Sequence, residues 1–151
     1  MKRMFINISN HPSEQWTDEQ KAACDKYVPG GAAESPVEII DIPFPAIGIG
    51  TEDSAMESSF LMDKIFRMIP YEDGKRAAHV SAMVMGEMVA VFYLVGSLQS
   101  VGINCFASIT RRESVEEKQA DGSMIKRAVF RFIGYRQYPT IKLITPMDDG
   151  D

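Results

Sequence analysis

The chain has 151 residues, 45% of them hydrophobic, and a formal net charge of -5. This length predicts one domain with a substantial core and leaves too little chain for two ordinary domains. The acidic balance argues against a duplex-DNA-binding protein, because such proteins need a basic face to displace counterions from the phosphates.

Metalloproteins and membrane proteins are also disfavoured. Cys24 and Cys105 lack the CxxC spacing of zinc sites and redox motifs, so we predict no metal, no cofactor and no disulfide framework. The longest apolar run, Met88 to Leu98, falls well short of the roughly 20 residues that a membrane-spanning helix needs. We therefore expect a protein of the reducing cytoplasm that has no membrane partner.

The first half of the chain predicts two strands, each followed by a helix. Short β-branched runs predict the strands, and capping residues before apolar residues at helical spacing predict the helices. The predicted elements are a strand from Arg3 to Ile8, a helix capped by Ser13 or Thr17 that ends near Tyr27, a strand from Val37 to Ile42 and a helix from Ser54 to Ile69. A polar connection follows from Tyr71 to Arg76.

A β-α-β unit occupies the centre of the sequence. An apolar helix stands between two short apolar strands, and a glycine follows the helix, which is typical of a unit with parallel strands. Because the helix has almost no polar face, we expect both faces of the sheet to be covered. The predicted elements are a strand from His79 to Met85, a helix from Met88 to Ser100 closed by Gly102, and a strand from Ile103 to Ile109 that ends in Thr110-Arg111-Arg112.

The last part of the domain predicts a charged segment and one more strand. The charged segment runs from Arg112 to Ser123 and contains the turn signal Asp121-Gly122. The strand runs from Ile125 to Tyr135, with Phe130 and Phe132 on one face. Its simplest placement is antiparallel to the strand before it.

These elements predict a single three-layer Rossmann-like α/β domain over residues 1–147, with a loose tail at 148–151. Right-handed crossovers are satisfied most simply by a mostly parallel sheet in the order 2-1-3-4-5, with the C-terminal strand antiparallel. In this order the first and third strands are neighbours, and their helices leave on opposite faces. The crevice between them is the topological switch point, where open α/β sheets bind ligands.

Polar residues follow the strands that meet at this switch point. A glycine there lets a ligand approach the backbone, a helix start offers free N–H groups to an anion, and arginines add charge. The predicted ligand-binding residues are Ser9, Asn10, Gly86, Glu87, Thr110, Arg111 and Arg112. The predicted catalytic residues are His11, for proton transfer, and Arg111, for stabilising developing charge. Together they indicate an anion or nucleotide pocket.

Each of these features also has a purely structural explanation. Ser9 and Asn10 precede a proline region and suit a turn, and Glu87 complements the dipole of the helix that follows it. Gly86 belongs to neither a GxGxxG motif nor a P-loop. The arginine pair at 111–112 is followed by three glutamates, as in a solvated charge cluster.

Short motifs along most of the chain resemble those of a family of small uncharacterised bacterial proteins. The motifs are FINISNHP, IIDIPFP, VMGEM, TRR and an aromatic pattern from Phe130 to Tyr138. In general architecture the chain is similar to CRISPR-associated Rossmann-fold (CARF) domains and to ring nucleases of type III CRISPR systems, which act in antiviral defence. This resemblance implies a homodimer that binds a cyclic oligoadenylate across paired sheet edges, with Ser9, Asn10, Gly86 and Arg111 near the phosphates.

The sequence supports two hypotheses of different classes. The first is a domain that binds a nucleotide or cyclic oligonucleotide, with phosphodiester cleavage as a further activity. The second is a non-catalytic homodimeric interaction module of unknown partner, whose Met88 to Leu98 helix and aromatic Phe130 to Tyr138 strand form a dimer or partner interface. They differ in whether Ser9, Asn10, Gly86 and Arg111 converge on an open cavity.

Overall fold

Strands and helices alternate along most of the chain. In the computed structural model, which describes residues 1–31 and 35–141, the elements are β1 (Lys2–Ser9), α1 (Asp18–Tyr27), β2 (Val37–Pro43), α2 (Asp53–Met68), β3 (Tyr71–Glu72), β4 (Lys75–Arg76), β5 (Ala78–Val84), α3 (Met88–Ser100), β6 (Asn104–Lys118) and β7 (Met124–Gln137). A 3-10 turn, Ser13–Gln15, precedes α1. Across these described ranges, no helix combines the length and the hydrophobicity needed to cross a membrane.

One sheet contains five of these strands, in the order β2-β1-β5-β6-β7. β1 pairs in parallel with β2 and β5, β5 pairs in parallel with β6, and β7 is antiparallel to β6. The predicted α/β class, with a mostly parallel sheet and an antiparallel C-terminal strand, is confirmed. The strand numbers differ from the predicted 2-1-3-4-5 because the expected polar connection, Tyr71 to Arg76, forms a small antiparallel hairpin, β3-β4. The predicted tail at 148–151 lies outside the described residues.

Two hydrophobic cores lie on opposite faces of the sheet. The side chains of β1 alternate between them, as the period of a strand requires. Phe5 packs with Trp16 and Tyr135 on the face that α1 covers, whereas Ile6 and Ile8 pack on the face that α2 and α3 cover. The helices that follow β1 and β5 therefore leave on opposite faces, as predicted.

A buried arginine at the start of β1 fixes α1 to the sheet. The Arg3 side chain is fully buried, and its guanidinium makes five hydrogen bonds, one for each of its N–H groups. The acceptors are the Asp25 carboxylate and the carbonyls of Asp25 (2.8 Å), Val28 (3.0 Å), Pro29 (3.1 Å) and Ser35 (3.1 Å). Because the last carbonyls of a helix have no partner within it, this cation satisfies the end of α1 and complements its dipole.

The helix boundaries agree with the capping signals in the sequence. Of the two predicted caps for α1, Thr17 is the one used, since its hydroxyl accepts from the Gln20 backbone N–H (3.2 Å). Gly102 ends α3 with a φ of 80°, a conformation that glycine adopts at little cost. The Ile103 N–H then bonds back to the Leu98 carbonyl (3.0 Å).

The prediction that β6 ends at Ile109 is wrong. The strand continues to Lys118, so the TRR motif at 110–112 lies inside a strand and not in a loop after it. Residues 110–118 pair with residues 124–132 of β7 in a two-stranded ribbon, which we call the β6–β7 arm. Most of its side chains are exposed on both faces, so its sequence lacks the alternation of apolar and polar residues that reveals a half-buried strand.

A β-bulge at the base of the arm changes which aromatic side chains share a face. The register between β6 and β7 shifts between Ile109 and Thr110, which leaves Ile133 as the extra residue of β7. Simple alternation puts Phe132 and Tyr135 on opposite faces. The bulge brings both rings to the α1 face, with their centroids 5.0 Å apart.

We expect Arg3→Met to lower the free energy of unfolding by about 3 kcal/mol, because the carbonyls at the end of α1 lose their donors inside the protein. Urea denaturation of the wild type and the variant measures this change. Lys2→Ala is the matched control, since Lys2 forms an exposed ion pair with Glu38 (2.9 Å) whose loss should cost less than about 1 kcal/mol. Equal effects of the two substitutions would contradict the role of Arg3.

Candidate functional site

The switch point lies between the carboxyl ends of β1 and β5. These strands are neighbours, and the helices that follow them cover opposite faces. Backbone hydrogen bonds hold the loops together at this edge, from the Phe44 N–H to the Ser9 carbonyl (3.3 Å) and from the Met85 N–H to the Ile8 carbonyl (3.0 Å). We use the name rim for the loops at this edge, which are residues 10–12, 44–52 and 85–87.

A polar network beneath the rim engages the first predicted ligand-binding residue. Ser9 is 4% exposed, and its hydroxyl donates to Asn7 Oδ1 (2.7 Å). Asn7 donates through Nδ2 to the Asp41 carboxylate (2.8 Å) and to the His11 carbonyl (2.8 Å). Ser9 thus shapes the loop, which agrees with the turn interpretation. Asn7 and Asp41 were not among the predicted site residues, although each is a polar residue flanked by two isoleucines in an apolar strand.

The side chains of Asn10 and His11 are exposed at this edge. Beneath them, the indole N–H of Trp16 donates to the His11 carbonyl (3.1 Å), and the His11 N–H donates to the Ser9 hydroxyl (3.2 Å). The backbone of this loop is held at several points, while two polar side chains point to solvent. Of the predicted site residues, these two are the ones best placed to meet a ligand.

Packing against an aromatic ring requires a glycine at position 86. The Phe44 side chain is buried, and a Cβ atom on Gly86 would overlap its ring. The close approach that the sequence predicted for a ligand is therefore made by Phe44. This residue of the IIDIPFP motif was not among the predicted site residues.

Glu87 caps α3 with its own side chain. Its carboxylate accepts from the backbone N–H groups of Val89 (3.1 Å) and Ala90 (2.8 Å). The expectation of free N–H groups at this helix start is therefore wrong for these two residues, because a carboxylate already lies where a ligand phosphate would bind. The structure supports the alternative explanation of Glu87, which is complementation of the helix dipole.

Thr110, Arg111 and Arg112 lie within the β6–β7 arm, and the expectation that they follow the end of a strand is wrong. Pairing between β5 and β6 reaches Met83 and Phe106, so the three residues stand beyond the carboxyl end of β5, where the arm rises from the rim. Thr110 and Arg112 share the face of Phe106, and Arg111 lies on the other face. Both arginines are exposed, and neither forms an ion pair within the described residues.

A large apolar groove lies along α3, outside the rim. It has a volume of about 1130 Å³ and runs between the outer face of α3 and residues 138–141. Met88 and Phe92 on this face are 83% and 70% exposed, and α3 contains no charged residue. None of the predicted ligand-binding residues lines this groove.

The two cysteines are unsuited to nucleophilic chemistry. Burial raises the pKa of the Cys24 thiol to about 11 and that of the Cys105 thiol to about 12. Both thiols are therefore protonated at neutral pH. Within residues 1–31 and 35–141, no three or more His, Cys, Asp or Glu side chains form a group that could hold a metal ion.

We expect Glu87→Ala to destabilise the protein by about 1 kcal/mol, because two backbone N–H groups of α3 lose their acceptor. Urea unfolding measures the change. Glu52→Ala is the matched control, since Glu52 holds the same position before α2 without a side-chain hydrogen bond to the helix. The control should cost less than about 0.5 kcal/mol. If both variants lose the same stability, the Glu87 carboxylate does not cap α3.

Comparison with known proteins identifies a family for this chain. No curated protein and no solved structure matches it. The model of the Uncharacterized protein MJ1673 family matches residues 3–136, a range that begins in β1, ends in β7 and includes the whole rim. The similarity to CARF domains and ring nucleases stays a prediction. The chain belongs to the Uncharacterized protein MJ1673 family.

Proposed function

We propose that this protein binds a nucleotide or a cyclic oligonucleotide at the rim. The observation that carries the proposal is the exposure of two polar side chains, Asn10 and His11, at the topological switch point of the sheet. Arg111 and Arg112 lie on the β6–β7 arm, beyond the carboxyl end of β5, and have no carboxylate partner in the described chain. In the proposed complex, the polar side chains would read a base and the cations would meet a phosphate.

The phosphates of such a ligand would lie toward the arm. The Glu87 carboxylate fills the start of α3 and repels a second anion there. Arg112 and Thr110 face the side of the sheet on which the chain continues from Asn10 into α1. A ribose or base on this side would meet the Asn10 amide and the Thr110 hydroxyl, which both donate and accept hydrogen bonds.

Phosphodiester cleavage would require proton transfer and charge stabilisation, which His11 and Arg111 would supply. His11 would take the proton from the attacking hydroxyl group and return it to the departing oxygen. Arg111 would stabilise the negative charge that develops on the phosphoryl oxygens. A protein that cleaves its ligand would act as a ring nuclease of type III CRISPR defence, and one that only binds would act as a CARF-like sensor.

A thermal-shift screen tests binding, because a ligand at a hundredfold excess over its Kd adds about 2.7 kcal/mol to the stability of the folded state. We expect one class to raise the Tm among mononucleotides, dinucleotides, sugar phosphates and linear and cyclic oligoadenylates. The double variant Arg111→Ala, Arg112→Ala should lose the shift. Arg127→Ala is the matched control, an exposed arginine of the same arm that lies near Glu117 (3.8 Å) and should keep it. If no phosphorylated ligand moves the wild-type Tm, the proposal fails.

A second function, a non-catalytic homodimeric interaction module, is favoured by the outer face of α3. Met88, Val89, Phe92 and Tyr93 are each at least half exposed there. Since an aromatic side chain alone buries about 150–250 Å², contact through these four side chains would remove on the order of 500 Å² per copy. The neighbouring segment 138–141 extends this surface toward the roughly 800 Å² per partner of a standard interface. A helix without charge can face its own copy without repulsion.

The two functions are compatible with each other. α3 begins at the rim, directly after Glu87, so a two-fold contact near its first turns would bring two rims together. A ligand with its own rotational symmetry, such as a cyclic oligoadenylate, could then contact both copies. This arrangement shares with the CARF resemblance a homodimer that binds one cyclic ligand, although the contact here is through α3 and not through sheet edges.

We expect Phe92→Asp to weaken self-association through α3 by at least about tenfold, because the new carboxylate would be buried in an apolar contact. Sedimentation velocity over a dilution series measures the change. Phe60→Asp is the matched control, since Phe60 is a 61% exposed phenylalanine of α2 that does not line the groove. Self-association of the Phe92 variant equal to that of the wild type would rule out the α3 contact.

A further inference from the structure

Within the part of the chain that the structure describes, the β6–β7 arm has a free edge, which belongs to β6. β5 ends at Val84, whereas β6 continues to Lys118, so from Thr110 onward β6 pairs with β7 alone among the described residues. An edge of this length presents a row of unpaired N–H and C=O groups. A two-stranded ribbon by itself is only marginally stable in water. The arm therefore has unpaired backbone groups that another strand could bind, and this pairing would stabilise the arm.

The charges along this edge are complementary to themselves. Its nine residues, TRRESVEEK at 110–118, carry two arginines before Ser114 and two glutamates after it. If two copies align antiparallel about Ser114, Arg111 of each copy lies opposite Glu117 of the other, and Arg112 lies opposite Glu116. Four Arg–Glu pairs form in this way. Opposite charges directly across an antiparallel pair stabilise it, and like charges destabilise it.

Other registers do not produce this match. A centre at Glu113 puts two glutamates opposite each other on the axis and leaves both arginines facing neutral residues. A centre at Val115 puts Glu113 opposite Glu117 and Arg112 opposite Lys118. The outer edge of the arm, in β7, carries Lys126, Arg127 and Arg131 without a carboxylate, so two such edges repel each other.

In a single copy of the chain, Arg111 faces a like charge across the arm. Arg111 lies directly opposite Arg131 in the ladder, and Arg131 is paired with Glu113 (3.0 Å). Two like charges opposite each other cost stability in an isolated ribbon. Glu117 of a second copy would supply the carboxylate that Arg111 lacks.

We propose that two copies of this chain pair through the free edges of β6, antiparallel and centred on Ser114, to form a four-stranded sheet of two arms. In this arrangement Gln119 at the tip of one arm lies opposite Ile109 of the other copy. The tip of each arm therefore reaches the base of the other arm, close to its rim. Each rim gains residues from the second chain. The inference depends neither on ligand binding nor on the α3 contact.

Cysteine cross-linking tests the register directly. Residue 114 faces itself across the two-fold axis, and directly opposite Cα atoms lie about 4.5–5.5 Å apart, within the range of a disulfide. Ser114→Cys should therefore form a disulfide-linked dimer under mild oxidation. Ala128→Cys is the matched control, since Ala128 pairs with Ser114 within the arm but lies on the outer strand, and it should form no disulfide-linked dimer. The buried native thiols do not compete. Equal cross-linking of both variants, or none of Ser114→Cys, would overturn the proposal.

Charge reversal tests the pairing energy without a covalent bond. The variant Arg111→Glu, Arg112→Glu has glutamate at positions 111, 112, 113, 116 and 117 of its edge, so all five of these positions are negative. The variant Glu116→Arg, Glu117→Arg has Glu113 as the remaining acidic residue of its edge. All four positions are exposed, so both variants should fold, and circular dichroism checks this.

Each variant alone should self-associate at least about tenfold more weakly than the wild type, because all four pairs become repulsive. An equimolar mixture restores four attractive pairs and should recover the wild-type dimer. Sedimentation velocity is measured in a Phe92→Asp background, so that α3 does not contribute. If the variants keep the wild-type association, or if the mixture does not recover it, the charges protect the edge from pairing instead of directing it.

Discussion

The parallel pairing of β1 on both of its edges is the constraint on which the rest of the structure depends. Because β2 and β5 pair with opposite edges of β1, the right-handed crossovers through α1 and α2 must cover opposite faces, and two separate cores result. β1 also supplies the polar side chains that hold α1 and the loop after β1 in place. Arg3 binds the end of α1, and Asn7 binds the loop that leaves the strand. One strand thus determines the sheet order, the helix layers and the shape of the rim.

The rim satisfies many of its own polar groups. The Ser9 hydroxyl donates a hydrogen bond to Asn7, and the Glu87 carboxylate accepts hydrogen bonds from two N–H groups in the first turn of α3. Phe44 fills the space beside Gly86. A helix start and a glycine at a switch point favour anion binding only where they are open to solvent. In this protein the loop after β1 and the arm carry polar side chains that are open to solvent. Any ligand would therefore be bound at the margin of the switch point and not deep within it.

The sequence predicted the sheet, the helices and the antiparallel last strand because each of these elements is half or fully buried. The spacing of their apolar residues reflects that burial, and residues such as Thr17 and Gly102 mark the ends of helices. The arm could not be predicted in the same way, because its side chains face solvent on both sides and only cross-strand pairing defines it. The bulge at Ile133 and the cap formed by Glu87 depend on atomic geometry. Ser9, Asn10, Gly86 and Glu87 lie at the edge of the sheet where the sequence placed them, whereas the contacts that Ser9, Gly86 and Glu87 make there are visible only in three dimensions.

Trp16 gives this fold a built-in optical reporter. It is the chain's single tryptophan, it is 8% exposed, and its indole N–H donates to the carbonyl of His11 in the loop that carries the exposed side chains of Asn10 and His11. Any movement of that loop changes the polarity and hydrogen bonding around the indole. Intrinsic fluorescence of the unmodified protein therefore reports on the surroundings of this loop without a label.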